Sequence, residues 1–134
     1  MIVYPRGVRD KEDTLEMHLN PENAAAHSFV TWSAKATLMT LPATTVDRIV
    51  REFSLDQVDF IELDIEGAER RALAGASESI RRYRPRMAVC VYHLDDDAVV
   101  IPAAVRAARR DYREAVGSCV WLGSEVQPKV CFYC

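Results

Sequence analysis

The chain has 134 residues, 49% hydrophobic and 28% charged, which suits one folded domain and excludes a wholly disordered chain. Its longest apolar runs fall far short of the roughly 20 residues of a membrane helix, and Met1-Ile2-Val3-Tyr4-Pro5 lacks the basic-then-apolar order of a secretory signal. Seventeen Lys and Arg against 20 Asp and Glu give a net charge of −3, so neither a nucleic acid nor a membrane is expected as a partner.

Fourteen of the 17 basic residues are arginines, which reads as codon usage in a GC-rich bacterium. The cysteines are Cys90, Cys119, Cys131 and Cys134, expected as reduced thiols of a cytoplasmic protein. Cys131 and Cys134 form a CxxC, but they sit in the apolar run VCFYC, where residues three apart on a strand face opposite sides. No second CxxC or CxxH completes four zinc ligands.

Residues 1–9 read as short and extended, broken by Pro5 and Gly7. Thr14 to Leu19 alternates polar and apolar residues, a half-buried strand ended by Asn20 and Pro21. Residues 21–36 read as loop, and Thr37 to Leu41 as a short strand. Thr44, Thr45 and Asp47 supply helix-start chemistry before Val46, Ile49, Val50 and Phe53, which predicts a short amphipathic helix ending near Leu55. Val58 to Ile65 reads as a buried strand, Ala68 to Tyr83 as one helix stopped by Pro85, and Met87 to Tyr92 as a second buried strand. The two apolar runs joined by a helix predict neighbouring parallel strands covered on both faces. Ile101 to Arg110 reads as a third helix, and Tyr112 to Val116, Val120 to Leu122 and Val130 to Tyr133 as short strands, the last two as a hairpin around Gly123. The sum is an α/β fold, mostly parallel with an antiparallel C-terminal edge.

In parallel α/β sheets ligands bind beyond the carboxyl ends of the strands. The first buried strand ends Asp64-Ile65-Glu66-Gly67, and the second ends Tyr92-His93-Leu94 followed by Asp95, Asp96 and Asp97. Neighbouring strands bring Asp64, Glu66 and His93 to one rim. Carboxylates and an imidazole there suit general base work on a hydroxyl or a divalent ion; no metal is assigned. Glu66 suits the helix dipole equally well, and Asp95 to Asp97 read as a solvated turn and helix cap. His18 and His27 receive no role, and Trp32 and Trp121 read as packing residues.

The segments TTVDRIV (44–50), VDFIELDIEGAERRALAGA (58–76), RPRMAVCVYH (84–93) and, weakly, KVCFYC (129–134) resemble the FkbM-type methyltransferase family. The resemblance implies a Rossmann-like class I fold that uses S-adenosylmethionine to methylate hydroxyls of sugars and natural products. It implies that Asp64, Glu66 and His93 are catalytic, that Asp64 also touches the cofactor, and that the partner is a small hydroxyl-bearing acceptor. A catalytically inactive remnant or binding module that keeps the acidic rim is the alternative. The five glycines include no GxG, so the strand, glycine turn and helix that cradle such a cofactor are missing. The 134 residues therefore read as a single partial methyltransferase domain, shortened at its front, with weak or absent cofactor binding. The exposed edge this leaves beside Phe60, Ile61 and Leu63 invites self-association, unless an N-terminal strand fills the gap.

Overall fold

The structure is a computed structural model describing residues 1–21, 27–30, 37–122 and 125–134, with the side chains of 120–122, 125 and 127 left aside. The elements run β1 (Gly7–Val8), β2 (Asp13–Leu19), β3 (Thr37–Thr44), α1 (Val46–Glu52), β4 (Phe60–Leu63), α2 (Glu69–Ala74), α3 (Ser77–Tyr83), β5 (Arg86–Cys90), α4 (Asp97–Ala108), β6 (Glu114–Val116), β7 (Cys119–Leu122), β8 (Glu125–Pro128) and β9 (Val130–Tyr133).

The strands form three sheets. The N-terminal one has the order β1-β3-β2, with β2 and β3 antiparallel and β1 parallel to β3. The central one has the order β4-β5-β9-β6. Within it β4 and β5 are parallel neighbours, as expected, with Phe60 opposite Arg86 and Leu63 opposite Val89. The other two pairings are antiparallel, β5 with β9 and β9 with β6. The central sheet is thus mixed rather than mostly parallel. The third sheet corrects the predicted hairpin: β7 pairs with β8, not with β9. The apolar face of Val130–Tyr133 is claimed by the core strand β5 instead. Gly123 lies outside the described residues, as does Trp32.

The core is built on one face of the central sheet, where it meets α2, α3 and α4, while Phe60, Glu62 and Phe132 on the other face are exposed. It joins Ile61 and Leu63 of β4, Met87 and Val89 of β5 and Cys131 and Tyr133 of β9 to Leu73 and Ile80 of α2 and α3 and Ile101 and Val105 of α4. Residues Met87 to Cys90 of β5 are all buried, as suits the strand flanked by β4 and β9, with Met87 and Val89 in the core and the small Ala88 and Cys90 on the opposite face. Strand β4 departs from the expected cover on both faces. Its burial alternates, with Phe60 and Glu62 exposed and Ile61 and Leu63 buried, as befits a strand at a sheet edge. The edge is open, but only Phe60 of the three apolar residues there lies exposed. The N-terminal strands form their own sheet and do not fill it.

The predicted helix over 68–83 is two helices. Gly75 and Ala76 break it, and Gly75 packs so tightly against the N-terminal sheet that a Cβ there would lie 2.0 Å from the Arg9 carbonyl oxygen. The new helix start at α3 has no cap of its own. Asp47 of α1 supplies one from across the fold: it accepts the Glu78 N–H (3.0 Å), the Ser79 N–H (2.8 Å) and the Ser79 hydroxyl (2.6 Å). Thr45 caps α1 itself, accepting the Arg48 N–H at 3.0 Å.

Helix α4 starts earlier than expected, at Asp97. Asp97 is wholly buried rather than solvated: one oxygen accepts the Leu94 N–H (2.7 Å) and the other takes the Arg70 guanidinium (2.5 Å). Asp96 binds the same guanidinium at 2.6 Å, and that ion pair holds its carboxyl below the ordinary carboxylate range. All four cysteines are free thiols; Cys131 on β9 is buried, and Cys134, one residue past the strand, is exposed.

Candidate active site

The two parallel strands stop at the same level, so the segments that follow them share one rim. After β4 the chain makes a tight turn through Glu66 and Gly67 before α2 begins. Both residues have left-handed backbone, with φ of +54° and +94°. Three contacts hold the turn. Glu69 at the start of α2 folds its carboxylate back onto the Ile65 N–H (2.8 Å) and the Gly67 N–H (3.0 Å). The Glu66 carbonyl accepts the Ser28 hydroxyl at 2.8 Å.

After β5 the chain places His93 against that turn. Its side chain is only 5% exposed. Nδ1 lies 2.9 Å from Oε1 of Glu69, a residue with no exposed surface. Nε2 points the other way, 3.3 Å from Asp64 Oδ1 and 3.9 Å from Glu66 Oε1. Neither ring nitrogen makes a hydrogen bond of good alignment. The Tyr92 ring lies 4.2 Å from the imidazole, centroid to centroid, and its hydroxyl reaches to 3.5 Å of Asp64 Oδ1. Asp64 is half exposed and Glu66 about a quarter, so the rim opens to solvent through its carboxylates while the imidazole lies behind them.

The acidic surroundings show in the neighbouring groups. Burial first, and then the charge of Asp64, pushes the Cys90 thiol up to about 12. The same two causes, in the same order, raise the Tyr92 phenol. Among the described residues no Lys or Arg forms an ion pair with Asp64, Glu66 or Glu69.

The three residues expected at one rim therefore meet, around Nε2 of His93. Glu69 is the one that sequence reasoning missed. Its place in the first turn of a helix already had a sufficient explanation in the helix dipole. The signal was its spacing: Asp64, Glu66 and Glu69 straddle a glycine turn, which lets the third carboxylate fold back under the first two. His18 lies on β2 and His27 accepts the Asn20 N–H at 3.0 Å, and among the described residues neither pairs with Asp64, Glu66 or Glu69.

A cleft of about 400 Å³ runs beside the turn, between Gly67 and Leu94 on one side and Val8, Leu15, Phe29 and Val30 on the other, with Arg9, Arg70 and Arg71 at its wall. Gly67 and Leu94 adjoin Glu66 and His93 in the chain. Apolar walls with a few polar groups are the ordinary make-up of a small-molecule site.

Among the described residues no helix is long and apolar enough to cross a membrane. No curated protein matches the chain. It is similar in fold to the crystal structure of methyltransferase FkbM from Methylobacillus flagellatus KT, with a TM-score of 0.64 and 21% identity; the match covers 98% of this chain and 28% of that one. The chain thus spans little more than a quarter of the length of that structure. Residues 2–113 match the methyltransferase FkbM domain, and with most of its length in that match the chain belongs to the FkbM methyltransferase family.

Proposed function

We propose that the chain receives a small hydroxyl-bearing acceptor, a sugar or natural product, at the Asp64–Glu66–His93 rim for O-methylation. The observation that supports this reading is the buried imidazole whose Nε2 faces two carboxylates at the carboxyl ends of two parallel strands. The β4-helix-β5 unit is also the part of the fold that supports a Rossmann-like reading of the mixed central sheet.

What each residue does follows from its surroundings. Glu69 Oε1 lies 2.9 Å from Nδ1, which favours the proton on that nitrogen and leaves Nε2 as the lone-pair side of the ring. An acceptor hydroxyl that enters the rim between Asp64 and Glu66 gives its proton to Nε2, and the two carboxylates stabilise the imidazolium that forms. Asp64, the most exposed of the three, is the second candidate for proton acceptor.

In this family the methyl group comes from S-adenosylmethionine, which supplies an electrophilic methyl. The described residues do not fit that cofactor by themselves. Of the four described glycines only Gly67 stands at a strand-to-helix turn, and there the folded-back Glu69 already takes its N–H. The chain thus brings the acceptor side of the reaction, without the glycine turn on which such a cofactor's carboxypropyl end would rest. This same observation favours a second reading, a non-catalytic module that binds the acceptor alone.

Two measurements separate the readings. Calorimetric titration of the chain with S-adenosylmethionine is expected to show no saturable binding in the micromolar range; micromolar binding would mean that segments read as loop build the cradle. Transfer of labelled methyl groups to a panel of sugar and polyketide hydroxyls, at millimolar cofactor, is expected to fall by roughly 10²–10⁴-fold in His93→Ala. Acceptor binding with no transfer by the unaltered chain would leave the binding module as the function.

A further inference from the structure

We propose that Nε2 of His93, Asp64 and Glu66 form a site for one divalent transition-metal ion, with Glu69 holding the imidazole from its far side. The inference goes beyond the methyl-transfer reading and does not need it: a chain that moves no methyl group would bind the ion all the same.

The first observation is the histidine. A side chain 95% removed from solvent is expected to satisfy its polar atoms, yet neither ring nitrogen makes a well-aligned hydrogen bond. Nε2 is aimed at two carboxylate oxygens 3.3 and 3.9 Å away. The second is charge. Three carboxylates surround one imidazole, and among the described residues no Lys or Arg pairs with any of them. One ligating atom each from Asp64, Glu69 and His93 lies within 4.8 Å of the others; Glu66 stands outside that triad, its Oε1 3.9 Å from Nε2.

The division of labour follows from what each oxygen already does. Both oxygens of Glu69 accept backbone N–H groups, from Ile65 and Gly67, and one of them also faces Nδ1 at 2.9 Å. Glu69 is therefore a positioning residue. A carboxylate on one ring nitrogen of a histidine, with the metal on the other, fixes the tautomer and turns the free lone pair toward the ion. Asp64 and Glu66 stand on the Nε2 side and are the ligands. One imidazole nitrogen with carboxylate oxygens suits a borderline ion such as Co²⁺ or Zn²⁺, and the carboxylates admit the harder Mn²⁺ as a probe. With the ion in place Nε2 is a ligand and not a base, so the two uses of His93 exclude one another.

The test is titration of Mn²⁺ into the chain, with free aqueous Mn²⁺ followed by its paramagnetic resonance signal. The expected result is loss of the signal to a stoichiometry of one ion per chain. Asp64→Asn and His93→Ala are each expected to weaken binding by tenfold or more, and Glu69→Gln by roughly 10–100-fold, the usual range for a partner behind a ligand. Circular dichroism melts establish that each variant is folded, and Asp64→Asn, at a half-exposed position, keeps the test decisive if the buried variants are not. A free signal undiminished at millimolar protein would overturn the site and leave His93 as an imidazole held only by carboxylates. Binding unchanged in Asp64→Asn would also overturn it, by placing the ion on other acids such as Asp95 and Asp96. The titration contains neither methyl donor nor acceptor, so its failure and the failure of the methyl-transfer reading are separate results.

Discussion

Glu69 carries two kinds of consequence in one side chain. It is wholly buried and accepts the N–H groups of Ile65 and Gly67, so its removal leaves those donors without a partner. An orphaned buried donor costs about 1–3 kcal/mol, and Glu69→Ala is expected to lower the denaturant midpoint accordingly, with Glu69→Gln falling between the two. Cys90 offers a pH readout close by. Its thiol titrates near 12 in the fold against an ordinary value of 9.0. A raised folded value favours folding fully below the unfolded one, and that contribution is lost as pH rises through the interval between them. Stability is therefore expected to fall between pH 9 and 12, and Cys90→Ala to flatten that part of the curve without removing the slope. Burial raises the Tyr133 and Tyr112 phenols as well, so they supply the rest.

Helices α2 and α3 show how far local pattern reaches. The 3.6-residue spacing of Ala72, Leu73, Ala76 and Ile80 is real, and all four are buried. What the spacing does not carry is the pressure of a distant segment. The Arg9 carbonyl sits where a Cβ of residue 75 would be, and the Gly75 carbonyl accepts the Asp47 N–H at 2.9 Å, so the helix opens at that point. Gly75→Ala is expected to destabilise by about 1–3 kcal/mol, the usual effect of overpacking, read from thermal melts. Asp47→Ala is expected to lose about 1–2 kcal/mol as the loss of an N-terminal cap, although it lies on a different helix from the one it caps. The same limit explains the C-terminal strands. Val130 to Tyr133 is a strand by its own residues, but its pairing with β5 rather than β7 is decided by the core, where Cys131 and Tyr133 are buried. Strand ends, by contrast, were legible: polar residues after two apolar runs placed Asp64, Glu66 and His93 together, because parallel neighbours must end at one rim. Glu69 escaped because its contact depends on the left-handed turn before it, which a sequence motif suggests only through Gly67.

At the scale of the whole molecule the open side of β4 matters most. The central sheet ends there with one ladder of backbone groups unpaired among the described residues, and Phe60 beside it is 52% exposed. Open edges of this kind template pairing with another chain. Sedimentation velocity over a concentration series is expected to show reversible self-association, and Phe60→Lys to suppress it, since a charge at an edge strand blocks pairing. A strictly monomeric chain at all concentrations would mean that the edge is covered by other means. Strand β4 is both the open strand of this sheet and the one that leads into Asp64.

At Glu66 stability and the proposed role pull in opposite directions. Its backbone is left-handed at φ +54°, a conformation that costs a residue with a Cβ about 1–2 kcal/mol and that asparagine, bonding locally through its side chain, adopts several-fold more readily. Glu66→Asn should therefore raise the melting temperature while removing a rim carboxylate. A stabilisation campaign blind to function would choose that substitution early, and a population drifting without selection on the rim should lose the glutamate for the same reason. Deep mutational scanning scored for abundance and for ligand retention would separate the two pressures at this position: abundance rising and retention falling on the same substitution.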